Sequence, residues 1–589
     1  MMKLRLSFIF LVMLAISACG MEKPIQHQST SNRGDASHPV SQKKVSQTGN
    51  SQHLAAENMS ASFLYLASQK ALKEGNHKLA VELLAALIKK DPDAIDPHLQ
   101  LITLLLATGH TDQAATHIDA LLPSKKLTAG QLEQLQLARI RLFLAQGQSE
   151  QALQRITSFL KRHPAHIAGR DLQVRILSSE KRYDEALTSI AEAIRAKELP
   201  EFRLLQAQLM IKKGDIMAAR ISLVRMHKLA PDYEEPILML SLLAIKDKDF
   251  QEAEQLLRDF IAAHPDSLRV NLALGKLLIQ EKRLFDAIMV YRDVAKRSGN
   301  NPEILRQLGM LYFQHKDYAE AESVFRSLVD VRPDDMSRFY LAASMEAQDK
   351  VAEASALYEM IDTGSVLATE AQLRLAAIDV SHDQLDQATR RLQKILKEKP
   401  EHLGTHVMLS AVRLTQKKYR KLIDETASLM PMKKLPTQLL FNRAVAFDHF
   451  KEYAQAEVML NRVIKRNPND AEALNFLGYT YAVQGIKLNE AKALIQRALS
   501  QKPNDGYYLD SLAWAYFKSG DYDKAAGTQS KALKQVPDDA VMHEHYGDIM
   551  WKNGQQAAAR KAWQKAIELK SEHPQQLQQK IKSGLNVAE

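Results

Sequence analysis

The sequence predicts an all-α chain, built as a solenoid of stacked helical hairpins. Two observations predict it. Small residues, large rings, glycines and prolines recur in one order about every 34 residues over most of the chain, and self-similarity at such a period is the signature of a repeat architecture. The composition agrees. Aromatic residues make up only 6% of the 589, while Ala, Leu, Lys, Glu and Gln abound, and straight-chain side chains lose little rotamer freedom in a helix.

The clearest unit runs from Gly506 to Asp539. Ala513 is small, Tyr516 follows, Gly520-Asp521-Tyr522 reads as a turn, Ala525 and Ala532 are small again, and Pro537 closes the unit. Small residues let two antiparallel helices approach, a large ring fills the gap between neighbours, glycine tolerates the turn, and proline cannot continue the helix before it. The same frame holds Gly478, Tyr481, Gly485, Ala498 and Pro503, with one extra residue in the turn, and then Gly547, Gly554, Ala559 and Ala566. Upstream it holds Tyr453, Ala456 and Pro468; Gly309, Tyr312, Ala321, Phe325 and Pro333; Ala253 and Pro265; Gly214, Ala219 and Pro231; Gly147, Ala152 and Pro164; and Gly75, Ala80 and Pro92. Several units are degenerate. Residues 403–436 carry Leu422 in place of the small Ala, and residues 335–368 lack the closing proline.

This pattern resembles the tetratricopeptide repeat (TPR). The resemblance implies about fifteen hairpins over residues 61–572, wound as a right-handed superhelix. The remaining residues, 573–589, read as a polar capping helix and tail, which a solenoid needs over its last apolar surface.

The N-terminus has a different logic. Lys3 and Arg5 precede an apolar run from Leu6 to Ile16, followed by Ser17-Ala18-Cys19-Gly20. That is the layout of a secretory signal peptide over residues 1–18, and the run is too short to span a bilayer, which takes about 20 residues. Cys19 is the chain's one cysteine, so an intramolecular disulfide is excluded. Ala15-Ile16-Ser17-Ala18-Cys19 resembles the lipobox of bacterial lipoproteins, which implies cleavage before Cys19 and its lipidation. Gly20, where that family places Asp for inner-membrane retention, implies sorting to the periplasmic face of the outer membrane. Residues 19–60 are rich in Ser, Gln, His and Lys and poor in large apolar side chains. They read as a tether.

The formal charge of +10 does not argue for nucleic acid, because basic residues alternate with acidic ones. There is no His-Glu-x-x-His, no Cys pair, no phosphate-cradling glycine loop and no Gly-x-Ser-x-Gly elbow. His543 and His545 flank Glu544, but helical residues two apart do not share a face. Neither an enzyme nor a cofactor or metal site is expected.

The TPR resemblance further implies a concave groove lined by the first helix of each hairpin. Projected here, its C-terminal part shows Asn475, Tyr479, Tyr507, Asp510, Trp514, Phe517, Glu544, Asp548 and Trp551, a set of rings beside carboxylates suited to protein surfaces. Trp563 falls at a helix-packing position. The Lys and Asn set with which chaperone-binding relatives hold a C-terminal carboxylate is not found in successive units. The stretch from Ala473 to Asp548 looks like a group of proteobacterial TPR lipoproteins. That likeness implies an adaptor that binds a periplasmic carboxyl-terminal processing protease and presents cell-wall hydrolases to it. An assembly factor for a pilus, secretin or polysaccharide-export complex would use the same fold and anchor.

Overall fold

The computed structural model of the chain describes residues 59–585. The expected signal peptide, Cys19 and most of the expected tether lie outside the described residues. Thirty-one α-helices follow one another, from α1 (Ala61–Lys73) to α31 (Pro574–Ser583), and no strand occurs among the described residues. They fall into two compact units. The first ends with α15 (Pro302–His315) and the second begins with α16 (Tyr318–Val331).

One device repeats fifteen times. Each pair of helices turns through a residue with positive φ. Glycine stands at positions 75, 109, 147, 214, 485, 520 and 554, lysine at 181, 248, 282, 316, 417 and 451, and aspartate at 349 and 383. Five residues beyond each turn residue comes a fully buried alanine, from Ala80 and Ala114 to Ala525 and Ala559. Only two of the fifteen differ. Leu422 replaces the alanine and is itself fully buried. After Gly485 the count is six, because Lys487 also has positive φ and lengthens the turn. Sequence reading found the glycine turns except that at Gly109. It missed the lysine and aspartate turns, because neither residue gives a local hint that its backbone is left-handed.

Helix ends account for their polar groups. In the C-terminal repeats an aspartate two residues after the closing proline caps the next helix. Asp470 accepts from the Ala473 amide at 3.0 Å, Asp505 from Tyr507 and Tyr508 at 3.0 and 3.1 Å, and Asp539 from Val541 and Met542 at 2.9 and 3.1 Å. In several repeats the proline carbonyl is taken by a side chain six residues on. Arg170 donates to Pro164, Asn271 to Pro265, His406 to Pro400 and His543 to Pro537, at 2.7–3.1 Å.

The two departures from the repeat are local breaks. In the unit without its proline, α18 (Val351–Glu359) stops after nine residues. In the unit with Leu422, α22 (Tyr419–Glu425) has seven residues and gives way to a 3-10 turn, Ala427–Leu429. An irregular stretch then runs to Pro436.

Candidate functional site

Four hairpins build the C-terminal end. Their helices are α23 (Thr437–His449) with α24 (Tyr453–Arg466), α25 (Ala471–Gln484) with α26 (Leu488–Gln501), α27 (Gly506–Lys518) with α28 (Tyr522–Gln535), and α29 (Ala540–Lys552) with α30 (Gln556–Glu568). The first helices α25, α27 and α29 also pack side by side in order, so equivalent positions meet across the repeat boundary. Glycines permit the closest approaches within hairpins. A Cβ on Gly478 would stand 2.6 Å from Ile495 Cγ1, and one on Gly547 would enter the Trp563 indole.

The nine expected groove residues do not share one environment. Asn475, Tyr479, Tyr507 and Trp514 are half-buried and present part of their surface. Burial pushes the Tyr479 phenol up, and the nearby charges of Asp510, Asp448 and Glu544 push it the same way. Asn475 Oδ1 is buried and accepts no hydrogen bond. Phe517, Asp510 and Asp548 are interior, at 6%, 8% and 6% exposure. This corrects their reading as surface residues. The hydrophobic period identifies the helix face, but it cannot show that the next repeat covers it.

Asp510 is the centre of a closed network. His545 Nδ1 donates to its two oxygens at 2.9 and 3.1 Å, and Gln529 Nε2 donates to Oδ1 at 2.6 Å and to the Met542 carbonyl at 2.9 Å. Burial alone would lower the His545 pKa, but the adjoining Asp510 carboxylate, with Asp548 and Glu544 beyond it, outweighs burial and raises it. The Trp514 ring stacks on His545 with centroids 4.2 Å apart and on Phe517 at 4.8 Å. Lys518 Nζ stands 5.2 Å from the Trp514 ring centroid.

Helix α31 and the residue after it pack on the remaining two, Glu544 and Trp551, and on Asp548. Lys580 Nζ donates to Asp548 at 2.9 and 3.0 Å and to Glu544 at 3.1 Å. Trp563 Nε1 donates to Asp548 at 2.8 Å, and the Trp563 ring is fully buried, a packing residue. Burial would lower the Lys580 pKa, and its two carboxylates more than reverse that. Trp551 packs on Trp563 at 5.6 Å and under Gly584, with Arg560 at 5.1 Å from its ring. The capping helix therefore covers Glu544, Asp548 and Trp551. Sequence reading placed Lys580 in a cap without seeing its partners, which lie more than 30 residues away.

His543 and His545 point apart, one to the Pro537 carbonyl and one to Asp510. No group of three metal-ligating side chains occurs among the described residues, and no helix there is long and apolar enough to cross a membrane. What the site offers is a surface of half-buried rings and amides over a rigid polar interior.

Comparison with known proteins bears on the fold. Two tetratricopeptide-repeat family models match, one at residues 71–137 and 278–346 and the other at 238–302, 441–506 and 511–575. Together they cover more than half the chain. A TPR repeat-containing protein of Pseudomonas aeruginosa, PA4667, is 27% identical over 218 residues, 36% of each chain. The match thus spans about a third of that relative's length. Among solved structures, the chain is similar to a crystal structure of the APC/C hetero-tetramer Cut9-Hcn1 (TM-score 0.33, 14% identity, 92% of this chain and 99% of that one). It is also similar to a tetratricopeptide repeat protein from Parabacteroides merdae (TM-score 0.32, 14% identity, 48% of this chain and 99% of that one).

Proposed function

Because the chain belongs to the tetratricopeptide-repeat proteins, scaffolds of protein–protein interaction, we propose that it is an envelope adaptor. It is lipidated at Cys19, held at the periplasmic face of the outer membrane, and carries partner proteins on the first helices of its C-terminal repeats. The observation that carries the binding surface is the run of half-buried Asn475, Tyr479, Tyr507 and Trp514 on consecutive first helices. Rigid aromatic side chains set in a preorganised frame lose little entropy on binding and tend to dominate interface energetics. The partners we infer are a carboxyl-terminal processing protease and the cell-wall hydrolases presented to it. The support for these is the resemblance of the Ala473–Asp548 stretch to proteobacterial TPR lipoproteins. Tethering at the membrane would raise the local concentration of enzyme and substrate.

The test is a pull-down from envelope extract with residues 21–589 as bait, beside a Tyr479→Ala/Trp514→Ala variant whose folding is checked by circular dichroism. Capture of a periplasmic protease and wall hydrolases, lost in the variant, supports the adaptor. Capture of a pilus, secretin or export component instead would replace it with an assembly factor. Capture indifferent to both substitutions would move the surface elsewhere.

A further inference from the structure

The break in the repeat at residues 426–436 concentrates positive charge. Where α22 ends early, its loose carbonyls and those of the irregular segment are taken up by arginines of the next hairpin. Arg443 Nη1 donates to the Ile423 carbonyl at 2.6 Å and to Thr426 Oγ1. Arg462 donates to the carbonyls of Met430 and Met432 at 3.4 and 3.2 Å, and Arg466 to those of Lys433 and Leu435. Every one of these acceptors is neutral. None of Arg443, Arg462, Arg466, Lys433 and Lys434 is ion-paired with a carboxylate among the described residues. Elsewhere most interhelical arginines are paired, as Arg413 is with Glu425 and Arg391 with Asp379 and Glu359.

Arg443 is the extreme case. It is 4% exposed and its Nε has no partner. Its guanidinium carbon lies 5.2 Å from the centroid of the Phe447 ring, and the exposed Asp424 acts on it without pairing. A buried cation without a counter-ion is costly. Lys433, Lys434 and Arg466 are exposed at the rim and Arg462 is half-buried. Arg462 and Arg466 each spend two N–H groups on main-chain carbonyls, which fixes the planar guanidinium and leaves the other donors available. A guanidinium held in that way is preorganised for the two oxygens of a carboxylate.

We propose that the 430–436 segment, ringed by Arg462, Arg466, Lys433 and Lys434, is a docking surface for an acidic, carboxylate-rich segment of a partner protein. This rests on the scaffold reading and adds a second surface, of opposite chemistry, to the aromatic one. Charge complementarity is the argument. The partner's carboxylates would supply the counter-charge that the chain itself withholds, and charge pairs of this kind set encounter rate and specificity.

The probe is a fluorescein-labelled oligoglutamate peptide, titrated by anisotropy into the full-length chain in detergent at low and at physiological salt. Two charge-reversal variants carry the same change in net charge. Lys433→Glu/Lys434→Glu lies in the patch, and Lys531→Glu/Lys534→Glu lies on exposed positions of α28. Neither lysine of the first pair makes a side-chain hydrogen bond among the described residues, so the variant should fold, and circular dichroism checks it. Binding weakened about tenfold or more by the first variant and less than about twofold by the second supports the patch. Equal weakening by both, or no binding at physiological salt, overturns it. Phosphatidylglycerol vesicles replace the peptide in a parallel arm. Vesicle binding that depends on Lys433 and Lys434, with none of the peptide, overturns the acidic-segment assignment in favour of a membrane surface. The scaffold reading is judged separately by Tyr479- and Trp514-dependent capture in the pull-down. If that capture persists while the peptide is ignored, only the patch falls.

Discussion

Trp514 and His545 lie face to face, ring planes 21° apart and centroids separated by 4.2 Å, across the boundary between two repeats. The contact joins the half-buried ring of one first helix to the charged interior of the next, since His545 is also the donor to Asp510.

This makes the C-terminal end pH-sensitive. A histidine whose folded-state pKa is raised binds its proton more tightly when folded. Its stabilising contribution is therefore complete below about pH 6.5, the unfolded value, and is lost as pH rises through the higher folded value. All three tryptophans of the chain, Trp514, Trp551 and Trp563, lie in the last two hairpins, so tryptophan fluorescence reports this end alone. Denaturant unfolding followed by fluorescence should show a midpoint that falls as pH rises above about 6.5. In His545→Gln that slope should flatten. An unchanged slope would remove His545 from the account.

Gly547→Ala should be among the costliest single substitutions in the last repeat. The added methyl would occupy the position of the Trp563 indole, which is fully buried and hydrogen-bonded to Asp548. Overpacking of this kind costs about 1–3 kcal/mol. The expected result is an earlier fluorescence transition with the far-ultraviolet signal of the remaining repeats retained.

Lys248→Gly should stabilise. Lys248 turns its hairpin at φ 64°, a left-handed backbone that costs a residue with a Cβ about 1–2 kcal/mol. Glycine removes that cost and gives back about 0.5–1 kcal/mol in unfolded-state entropy. A net gain of about 0.5–1 kcal/mol in denaturant unfolding is expected, and the reverse change Gly520→Lys should lose a similar amount.

Leu422→Ala restores the repeat's own consensus and should nonetheless destabilise. Leu422 is fully buried within the core that runs through α22 to α26. Its truncation leaves a cavity worth about 2–4 kcal/mol. A neutral result would mean that the short helix slides in to close the gap.

Lys580→Met should loosen the cap. Asp548 would keep Trp563 Nε1 as its hydrogen-bond donor but lose its ammonium partner. Removing one member of a buried pair costs about 3–5 kcal/mol in closed sites, and somewhat less here because the pair is near the end of the array. Trp551, packed under Gly584, should become more exposed, seen as red-shifted emission and easier quenching by iodide.

The repeat was legible in the sequence because its parts are local and periodic. Ala525, Ala532, Pro537 and Gly520 each answer a steric demand that recurs every 34 residues or so, and the structure shows fifteen such hairpins with the small position fully buried. The helical class, the period, the aberrant Leu422 unit and the packing role of Trp563 follow from those demands alone. Six of the nine expected groove residues, Asn475, Tyr479, Tyr507, Trp514, Glu544 and Trp551, are part-exposed on the first helices, the last two beside the final segment. Which of the nine would be covered was a question of tertiary structure, because a helical face carries no mark of what packs on it. Asp510 turned inward because His545 and Gln529, 35 and 19 residues away, meet it there. Glu544, Asp548 and Trp551 were closed over by Lys580 and Gly584 of the final segment. The arginines around residues 430–436 were dispersed basic residues in the sequence. They became a cluster because a second helix of seven residues left carbonyls for them to cap, and that coincidence of broken helix and unmatched charge exists only in three dimensions.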